Sequence, residues 1–348
     1  MQSEKLKVGI TLGDMNGVGP EIILKTLSDN RMLQDLTVVV YGSNRVFNFY
    51  RKSMNIESFT FHGIKDASEA LPKKANLVSL TKRDLPVKPG EVTEIAGELA
   101  FLSLEKAVAD LASNKIDVLV TSPINKKNIQ RKGFDFPGHT EYLAKYSNVE
   151  RALMLMCSDR IRVGLVTGHL PINEVSKELN QEKIIQQLEA MDRALKSDFS
   201  IRKPKIAVLG LNPHAGDEGL LGEEEKSVII PAINEAKEKG IFAIGPFPAD
   251  GFFAGNGWKD YDAILAMYHD QGLIPFKSMA GEDGVNFTAG LPIVRTSPAH
   301  GTAYDIAGKC LANAQSFRQA IYYACDIYKR RAENRQLASN PLQVSKKD

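Results

Sequence analysis

Short apolar runs alternate with helical stripes along most of this chain, and that alternation restricts the fold more than any other feature of the sequence. Residues 36–41 (LTVVVY) and 116–121 (IDVLVT) have the length and the β-branched content of buried strands. Leu99, Leu102 and Val108 recur between them at helical spacing. A helix that leads into a strand across a short join is typical of parallel α/β proteins. The sequence therefore predicts an α/β fold with mostly parallel sheets.

The length and the composition set further limits. A chain of 348 residues is too long for one typical domain, and we expect two. The formal net charge of +2 gives no reason to expect a nucleic acid or a membrane surface as a partner, and no apolar run has the length of a membrane span. The N-terminus has no apolar signal region, and the three cysteines have no paired spacing. These features lead us to expect a cytoplasmic protein with reduced thiols.

Three of the six histidines follow apolar runs that we interpret as strands. They are His169 (in LVTGHLP), His214 (in GLNPHAGD) and His269 (in AMYHDQG). In a parallel sheet, residues just past neighbouring strand ends lie along one edge, where such folds bind ligands. Three convergent imidazoles form a site for a divalent metal with open positions for a substrate or water. One such histidine alone is more often a structural loop residue, but three in the same context favour the metal.

Other polar residues are candidates for binding an anion. His139 and Thr140, in FPGHTE, mark the start of a helix, where they either cap the helix or bind an anion together with backbone N–H groups. Arg295 closes an apolar run (LPIV) that we interpret as a buried strand, and Lys277 and Asn286 precede it. A lysine and an arginine at the mouth of a sheet suit a phosphate or a carboxylate, although each alone is more often a solvated charge.

Two glycine-rich stretches are candidates for binding a ligand. Residues 297–308 (SPAHGTAYDIAG) are rich in turn-formers and small residues, so the backbone there can approach a flat ligand. The stretch is either a ligand-binding loop or an ordinary strand-to-helix loop in which Asp305 caps a following helix. Residues 13–21 (GDMNGVGPE) lack the spacing of the GxGxxG dinucleotide fingerprint. We interpret them as a tight strand-to-helix turn or as a ligand contact.

These stretches together resemble the family of 4-hydroxythreonine-4-phosphate dehydrogenases, the NAD-dependent enzymes of pyridoxal phosphate biosynthesis. The resemblance runs from about residue 8 to residue 324, and its ordered motifs are ITLGDMNGVGPE, TSPINK, FPGHTE, TGHLP, LNPHAGD, MYHDQG and GLPIVRTSPAHGTAYDIAGK. The last motif is also similar to the adenosine-binding loop of the isopropylmalate and isocitrate dehydrogenases. Two positions depart from the family pattern, because Ala299 stands where an acidic residue is usual and Cys310 where glycine is common.

The resemblance implies roles for three groups of residues. The metal ligands that it implies, for zinc or else magnesium, cobalt or manganese, are His169, His214 and His269. The residues that it implies for binding the phosphorylated substrate are His139, Thr140, Lys277, Asn286 and Arg295. The residues that it implies for binding NAD are His300, Gly301, Thr302, Ala303 and Asp305. Asp305 matches the carboxylate that accepts the ribose hydroxyls and disfavours the 2′-phosphate of NADP.

The resemblance also implies an architecture. The fold is like that of isopropylmalate dehydrogenase, with two α/β/α domains that flank a cleft. We assign residues 1–133 and 298–348 to a first, discontinuous domain with the cofactor loop. Residues 134–297 then form a second domain with the metal and substrate residues. The family is homodimeric, and its active site is completed across the subunit interface.

The implied reaction oxidises the C3 hydroxyl of 4-phosphooxy-L-threonine to give 2-amino-3-oxo-4-phosphooxybutanoate, which then loses carbon dioxide to give 3-amino-2-oxopropyl phosphate. The sequence does not identify the proton acceptor, for which Asp250, Asp270 and Lys277 are the candidates. One alternative is a sibling dehydrogenase for 4-phosphothreonate or 4-phosphoerythronate. Another is a metal-dependent hydrolase or a phosphate acyltransferase of related fold, neither of which needs a bound adenosine.

Overall fold

The computed structural model describes residues 5–130, 134–150 and 152–339. In this part of the chain the strands are β1 Lys7–Thr11, β2 Thr37–Gly42, β3 His62–Ile64, β4 Ala75–Ser79, β5 Val118–Thr121, β6 Leu153–Cys157, β7 Arg162–Leu165, β8 Lys205–Leu209, β9 Phe242–Phe247, β10 Ala263–Ala266, β11 Val285–Ala289 and β12 Arg295–Pro298. The α-helices are α1 Gly19–Leu27, α2 Arg31–Asp35, α3 Asn44–Ser53, α4 Glu94–Ala112, α5 Lys126–Ile129, α6 His139–Tyr146, α7 Ile172–Glu178, α8 Gln181–Ser197, α9 Ile230–Glu238, α10 Ala249–Ala254, α11 His269–Ala280 and α12 Gln315–Ser339. None of the helices in these ranges is long and apolar enough to cross a bilayer.

The chain divides into two compact units. The first contains Met1–Arg160 and Phe276–Cys325, and the second contains Ile161–Pro275 and Asp326–Asp348. The divisions at residues 275 and 325 fall inside α11 and α12. The sequence analysis placed its domain boundaries at residues 133 and 297 instead. Residue 133 and the stretch 340–348 lie outside the described residues, and the division into domains stays a prediction.

The first unit is built on a mostly parallel sheet with the strand order β3-β4-β2-β1-β5-β12-β11-β6. The strand β11 runs antiparallel to its neighbours, β12 and β6. Every residue of β2 is buried, as expected for a parallel strand that is covered on both faces. The helix α4 packs against β1, β2 and β5, so the predicted order of helix and strand is confirmed here.

The second unit has its own parallel strands in the order β7-β10-β8-β9. The helix α8 covers β7 and β10 with the apolar stripe that its sequence predicts, in which Ile184, Leu188 and Met191 are fully buried. The predicted α/β class with mostly parallel sheets is confirmed in both units.

One local prediction is wrong, and one of two alternatives left open by the sequence is excluded. The apolar run 291–294 is not a strand, because β12 begins only at Arg295. The chain reverses after β11 through Gly290, at φ +84°, and Pro292 has no N–H group to donate to a sheet, so this run forms the connection. No helix follows Asp305 either, since residues 304–310 form turns. Gly308 and Cys310 have φ values of +78° and +60°, which a right-handed helix does not contain.

Candidate active site

The three strand-end histidines lie in the loops that follow three neighbouring strands of the second unit. His169 comes after β7, His214 after β8 and His269 after β10, and β10 pairs in parallel with both other strands. The ring centroids of His169 and His269 are 5.6 Å apart. The prediction that these loops share one edge of a parallel sheet is therefore confirmed.

His269 is oriented by its neighbour in the sequence. It begins α11, and its Nδ1 atom lies 2.7 Å from Oδ1 of Asp270. A carboxylate on one imidazole nitrogen fixes the ring and leaves the other nitrogen for a ligand, as is usual around metal-binding histidines. The other two candidates for the proton acceptor are exposed, Asp250 in the first turn of α10 and Lys277 on α11.

His214 lies in a segment of unusual backbone. The six residues from His214 to Gly219 all have positive φ, and four of them are not glycine. The non-glycine residues in this left-handed segment are His214, Ala215, Asp217 and Glu218. A left-handed conformation costs a residue with a side chain roughly 1–2 kcal/mol, so surrounding contacts must hold this segment in place.

The donor chemistry of the three histidines fits a divalent first-row metal, and two of their rings lie close together. The structure does not bring all three into one ligand set. No group of three or more His, Cys, Asp or Glu side chains in the described ranges is arranged to hold a metal ion. The three-histidine site stays a prediction.

In the first unit, Arg295 is a buried cation without a carboxylate partner among the described residues. Only 2% of Arg295 is exposed. Its guanidinium donates to Oγ1 of Thr121 at 3.1 and 2.6 Å and to Oγ1 of Thr288 at 2.9 Å. Burial lowers the pKa of Arg295 to about 9, and the charge of Glu141 opposes this shift only in part. Buried arginines are normally paired, so this site has the electrostatics of an anion-binding position.

His139 and Asn286 surround this arginine with further unsatisfied polar atoms. His139 begins α6 as the sequence predicts, and Thr140 is the next residue of that helix. Burial lowers the pKa of His139 well below its ordinary value, and the charge of Arg295 acts in the same direction. The buried atoms Nε2 of His139 and Oδ1 of Asn286 have no hydrogen-bond partner. Asn286 lies two residues before Thr288 on β11, so its side chain is on the same face of the sheet as the guanidinium.

The loop after β12 also contains an unsatisfied buried atom. His300 pairs through Nδ1 with the carbonyl of Gly301 at 3.0 Å, whereas its buried Nε2 atom has no partner. Burial lowers the pKa of His300, the bond to Gly301 opposes the shift, and the charge of Lys277 adds to it. No atom lies within 4 Å of the position that a Cβ of Gly301 would take, so the space beside the loop is open. Thr302 and Ala303 are half-buried and Asp305 is exposed.

The stretch 13–21 supports this loop, a role that the sequence analysis did not assign to it. The fully buried Asp14 accepts a hydrogen bond from the hydroxyl of Tyr304 at 2.7 Å. The N–H of Val18 donates to the carbonyl of Thr302 at 2.9 Å, and the N–H of Gly308 donates to Glu21 at 2.5 Å. These contacts join residues nearly 300 positions apart, so only the folded chain reveals them.

Gly17 shows how closely the two stretches approach. A Cβ atom on Gly17 would lie 2.8 Å from the carbonyl oxygen of Thr302, which no side chain tolerates without a shift of the backbone. Gly17 therefore allows the close contact with the loop after β12, whereas Gly13 and Gly19 lie against Ser122. The tight-turn interpretation is confirmed, since α1 begins at Gly19 with Pro20 in its first turn.

Comparison with known proteins gives a consistent result along nearly the whole chain. The family described as Pyridoxal phosphate biosynthetic protein PdxA matches residues 34–324. A 4-hydroxythreonine-4-phosphate dehydrogenase of Bacteroides thetaiotaomicron is 49% identical over 343 residues, which cover 98% of this chain and 94% of the relative.

Two further comparisons bear on the fold and on the substrate. The crystal structure of a 4-hydroxythreonine-4-phosphate dehydrogenase from Klebsiella pneumoniae superposes with a TM-score of 0.80 at 34% identity, covering 94% of this chain and 99% of that one. A relative from Oceanobacillus iheyensis with the provisional name D-threonate 4-phosphate dehydrogenase is 38% identical over 331 residues, which cover 93% of this chain and 98% of the relative.

Proposed function

This chain belongs to the family of the pyridoxal phosphate biosynthetic protein PdxA, and we propose that it is a 4-hydroxythreonine-4-phosphate dehydrogenase. The proposed reaction is the NAD-dependent oxidation of 4-phosphooxy-L-threonine to 2-amino-3-oxo-4-phosphooxybutanoate, followed by decarboxylation to 3-amino-2-oxopropyl phosphate. The observation that carries the proposal is the buried, unpaired guanidinium of Arg295. A phosphorylated substrate supplies the anion that this cation lacks.

The neighbours of Arg295 suit a phosphate group. His139 is held neutral by its low pKa, so its Nε2 atom can carry a proton and donate it in a hydrogen bond without a second buried charge. Thr140 adds a hydroxyl and the first turn of α6 adds backbone N–H groups, which favour anions. We assign Lys277 a charge contact from the exposed face of α11 and Asn286 a hydrogen bond that its side-chain NH2 group donates to the phosphate.

The residues present also fit the groups that a dehydrogenase of this family needs. Bound NAD would accept a hydride, and a bound divalent cation would stabilise negative charge on the substrate oxygen. His300, Gly301, Thr302, Ala303 and Asp305 would hold the NAD, and the unsatisfied Nε2 atom of His300 supports this assignment. His169, His214 and His269 would hold the cation.

The base that takes the proton from the C3 hydroxyl is one of three residues. Asp270 is bonded to His269, and this contact supports an orienting role for Asp270. Asp250 and Lys277 are exposed and have no such bond, so they remain the other candidates. The substrate loses a proton from oxygen and a hydride from C3, after which the bond to the carboxyl carbon breaks and its electrons remain on the product.

We propose NAD rather than NADP because of Asp305. With no helix behind it, Asp305 has no capping role, and its exposed carboxylate is available to the ribose hydroxyls. Two unit charges about 4 Å apart near a protein surface repel by roughly 4 kcal/mol before relaxation, and a third of that is about tenfold in affinity. Asp305→Asn should narrow the ratio of kcat/KM for NAD over NADP. An unchanged ratio, or a wild type that prefers NADP, would contradict the assignment.

The activity test is the appearance of NADH when 4-phosphooxy-L-threonine and NAD are added to protein that has been treated with a chelator and reloaded with zinc. Arg295→Met should raise KM for the substrate roughly ten- to a hundredfold, because a hydrogen bond to a charged group contributes about 1.5–3 kcal/mol. No NADH from wild-type protein would refute the proposed reaction. We also propose a homodimer, which sedimentation at micromolar protein would test.

The second candidate substrate is 4-phosphothreonate, favoured by the similarity to the Oceanobacillus iheyensis relative. This substrate has a hydroxyl where 4-phosphooxy-L-threonine has an amino group, and both have the phosphate that Arg295 would bind. The same assay with both substrates separates the two proposals by their kcat/KM values.

A further inference from the structure

Glu225 is a buried carboxylate that takes no part in the proposed reaction, and only 3% of it is exposed. It lies at the start of a short π-helical segment, Glu225–Ile229, that leads into α9. Its Oε1 atom accepts hydrogen bonds from the backbone N–H groups of Leu211 and Asn212, both at 2.7 Å. Its Oε2 atom accepts a third from the side-chain amide of Asn212 at 2.9 Å. All of these donors belong to Leu211 and Asn212, which lie just before Pro213 and the left-handed segment 214–219.

The left-handed segment also packs directly on this carboxylate. A Cβ atom on Gly216 would lie 2.6 Å from Oε2 of Glu225, so only glycine fits there. A Cβ atom on Gly210 would lie 2.9 Å from Cα of Ala215 and 3.1 Å from Oε1 of Glu225. The carboxylate therefore fills the inside of the turn whose outer face carries the exposed His214.

Backbone hydrogen bonds also contribute to the turn. Ala215 donates to the carbonyl of Asn212 at 3.1 Å, Leu220 to that of Asp217 at 3.0 Å and Leu221 to that of Gly216 at 3.0 Å. Four residues with side chains hold left-handed backbone that unrestrained residues rarely adopt. Such strain persists only where the surroundings determine the conformation, and the buried carboxylate of Glu225 accepts three hydrogen bonds at the start of this segment.

We propose that Glu225 is the positioning residue that holds the left-handed turn and thereby places His214 for metal binding. This inference rests on the proposed function, because it takes His214 to be a metal ligand. The carboxylate acts as a charged acceptor for three N–H donors at the turn entrance. A glutamine at this position keeps one acceptor oxygen but lacks the charge, and its NH2 group would face the side-chain amide of Asn212.

The test compares Glu225→Gln with Glu224→Gln. Glu224 is the matched control, because its carboxylate accepts a hydrogen bond from the side-chain amide of Asn212 at 2.8 Å and none from the backbone of the turn in the described part of the chain. Both variants are stripped with a chelator, and their affinity for Co²⁺ is measured by competition together with the visible spectrum of the bound ion. We expect Glu225→Gln to weaken Co²⁺ binding roughly 10–100-fold, as is usual when an outer-shell partner of a metal ligand is lost. The Co²⁺ affinity of Glu224→Gln should remain within about twofold of that of the wild type.

A second readout does not depend on the metal. In metal-free protein, the amides of Leu211 and Asn212 should exchange hydrogen faster in Glu225→Gln than in Glu224→Gln. Ala215→Gly should rescue part of the lost Co²⁺ affinity when added to Glu225→Gln, because glycine adopts the left-handed conformation without strain. Ala215→Gly alone should raise the thermal midpoint, which keeps the inference testable even if Glu225→Gln does not fold.

The outcomes separate this inference from the proposed function. If His214→Ala loses Co²⁺ affinity while Glu225→Gln binds Co²⁺ as the wild type does, the positioning role is refuted and the metal site stands. If wild-type and His214→Ala protein bind Co²⁺ equally, the metal assignment of His214 is refuted and this inference with it. If Glu225→Gln and Glu224→Gln exchange the two amides equally, Glu225 does not hold the turn.

Discussion

Replacing Arg295 by methionine should stabilise the ligand-free protein, which is the opposite of what the loss of a buried arginine usually does. Burial lowers the pKa of Arg295 from 12.5 to about 9. At about 1.4 kcal/mol per pH unit, this shift corresponds to a cost on the order of 5 kcal/mol for keeping the charge in the folded state. The folded pKa is the lower one, so the whole cost is present below about pH 9 and shrinks as the pH rises from there.

The stability gained by removing the buried charge is partly offset by lost hydrogen bonds. The hydroxyls of Thr121 and Thr288 would lose their donor, which costs about 1–3 kcal/mol together. Methionine is apolar and similar in length, so we expect a net stabilisation of about 2–4 kcal/mol, in line with other buried charges replaced by apolar groups. In a folding unit of the size of the first unit, each kcal/mol of stabilisation raises the thermal midpoint by roughly 2–4 °C.

Arg331→Met is the matched comparison, because Arg331 is a half-buried arginine that does have a carboxylate partner. It bonds to Asp198 at 2.7 and 3.1 Å, and only 1% of Asp198 is exposed. Removing Arg331 leaves that carboxylate buried without its cation, which should cost about 3–5 kcal/mol. The two methionine variants should therefore move the thermal midpoint in opposite directions.

The same thermal midpoints are then measured in the presence of inorganic phosphate. At 100 times its dissociation constant, a ligand that binds only the folded state adds about 2.7 kcal/mol to stability. Phosphate should raise the thermal midpoint of the wild type and have little effect on Arg295→Met. The reasoning fails if Arg295→Met is destabilised as Arg331→Met is, or if phosphate stabilises both Arg295 variants equally.

Three further predictions follow from the first unit. Tyr304→Phe removes the hydroxyl that donates a hydrogen bond to Asp14, so the dissociation constant of NAD measured by calorimetry should rise about fivefold or more. Tyr41→Phe is the control, because it loses an equivalent bond to Asp110 and should leave the dissociation constant of NAD unchanged. His139 has a pKa well below 6.5 in the folded chain, so the unfolded chain binds the proton first and stability falls as the pH drops through 6.5. Urea unfolding at pH 7 and pH 5 should therefore show a loss of about 2 kcal/mol more in the wild type than in His139→Gln, and equal losses would count against a neutral buried imidazole. Cys310→Gly should raise the thermal midpoint, because Cys310 has a φ of +60°. Glycine removes about 1–2 kcal/mol of strain in this left-handed conformation, at an entropic cost of about 0.5–1 kcal/mol. A lower midpoint would show that the cysteine side chain itself stabilises the fold.

The sequence predicted the features that depend on local pattern. The apolar runs before His169, His214 and His269 became the adjacent parallel strands β7, β8 and β10, because length and β-branched content are local properties. The start of α6 at His139 was predictable for the same reason. The strand at 291–294 was predicted wrongly, since apolar composition alone does not distinguish a buried strand from a buried connection.

The features that depend on distant contacts were not predictable. Arg295 and Thr121 are 174 positions apart, and nothing near either residue indicates that the guanidinium is buried without an acid. The bond from Tyr304 to Asp14 spans 290 positions, and the close approach of Thr302 explains Gly17 in a stretch for which pattern alone left two interpretations. The left-handed turn runs against local preference, because four of its residues carry side chains that disfavour positive φ.

The residues that break general rules in this chain are the candidate site residues. Arg295 is a buried cation without an acid among the described residues, His139 and His300 have buried ring nitrogens without partners, and His214 lies in strained backbone. Each of these costs free energy in the ligand-free state and has no benefit for folding that the contacts reveal. A phosphate on Arg295 and His139, or a dinucleotide on His300, would satisfy the same atoms that folding leaves unsatisfied. Ligand binding and stability should therefore be coupled in this protein, so that variants which remove these groups gain stability in the same experiment in which they lose affinity.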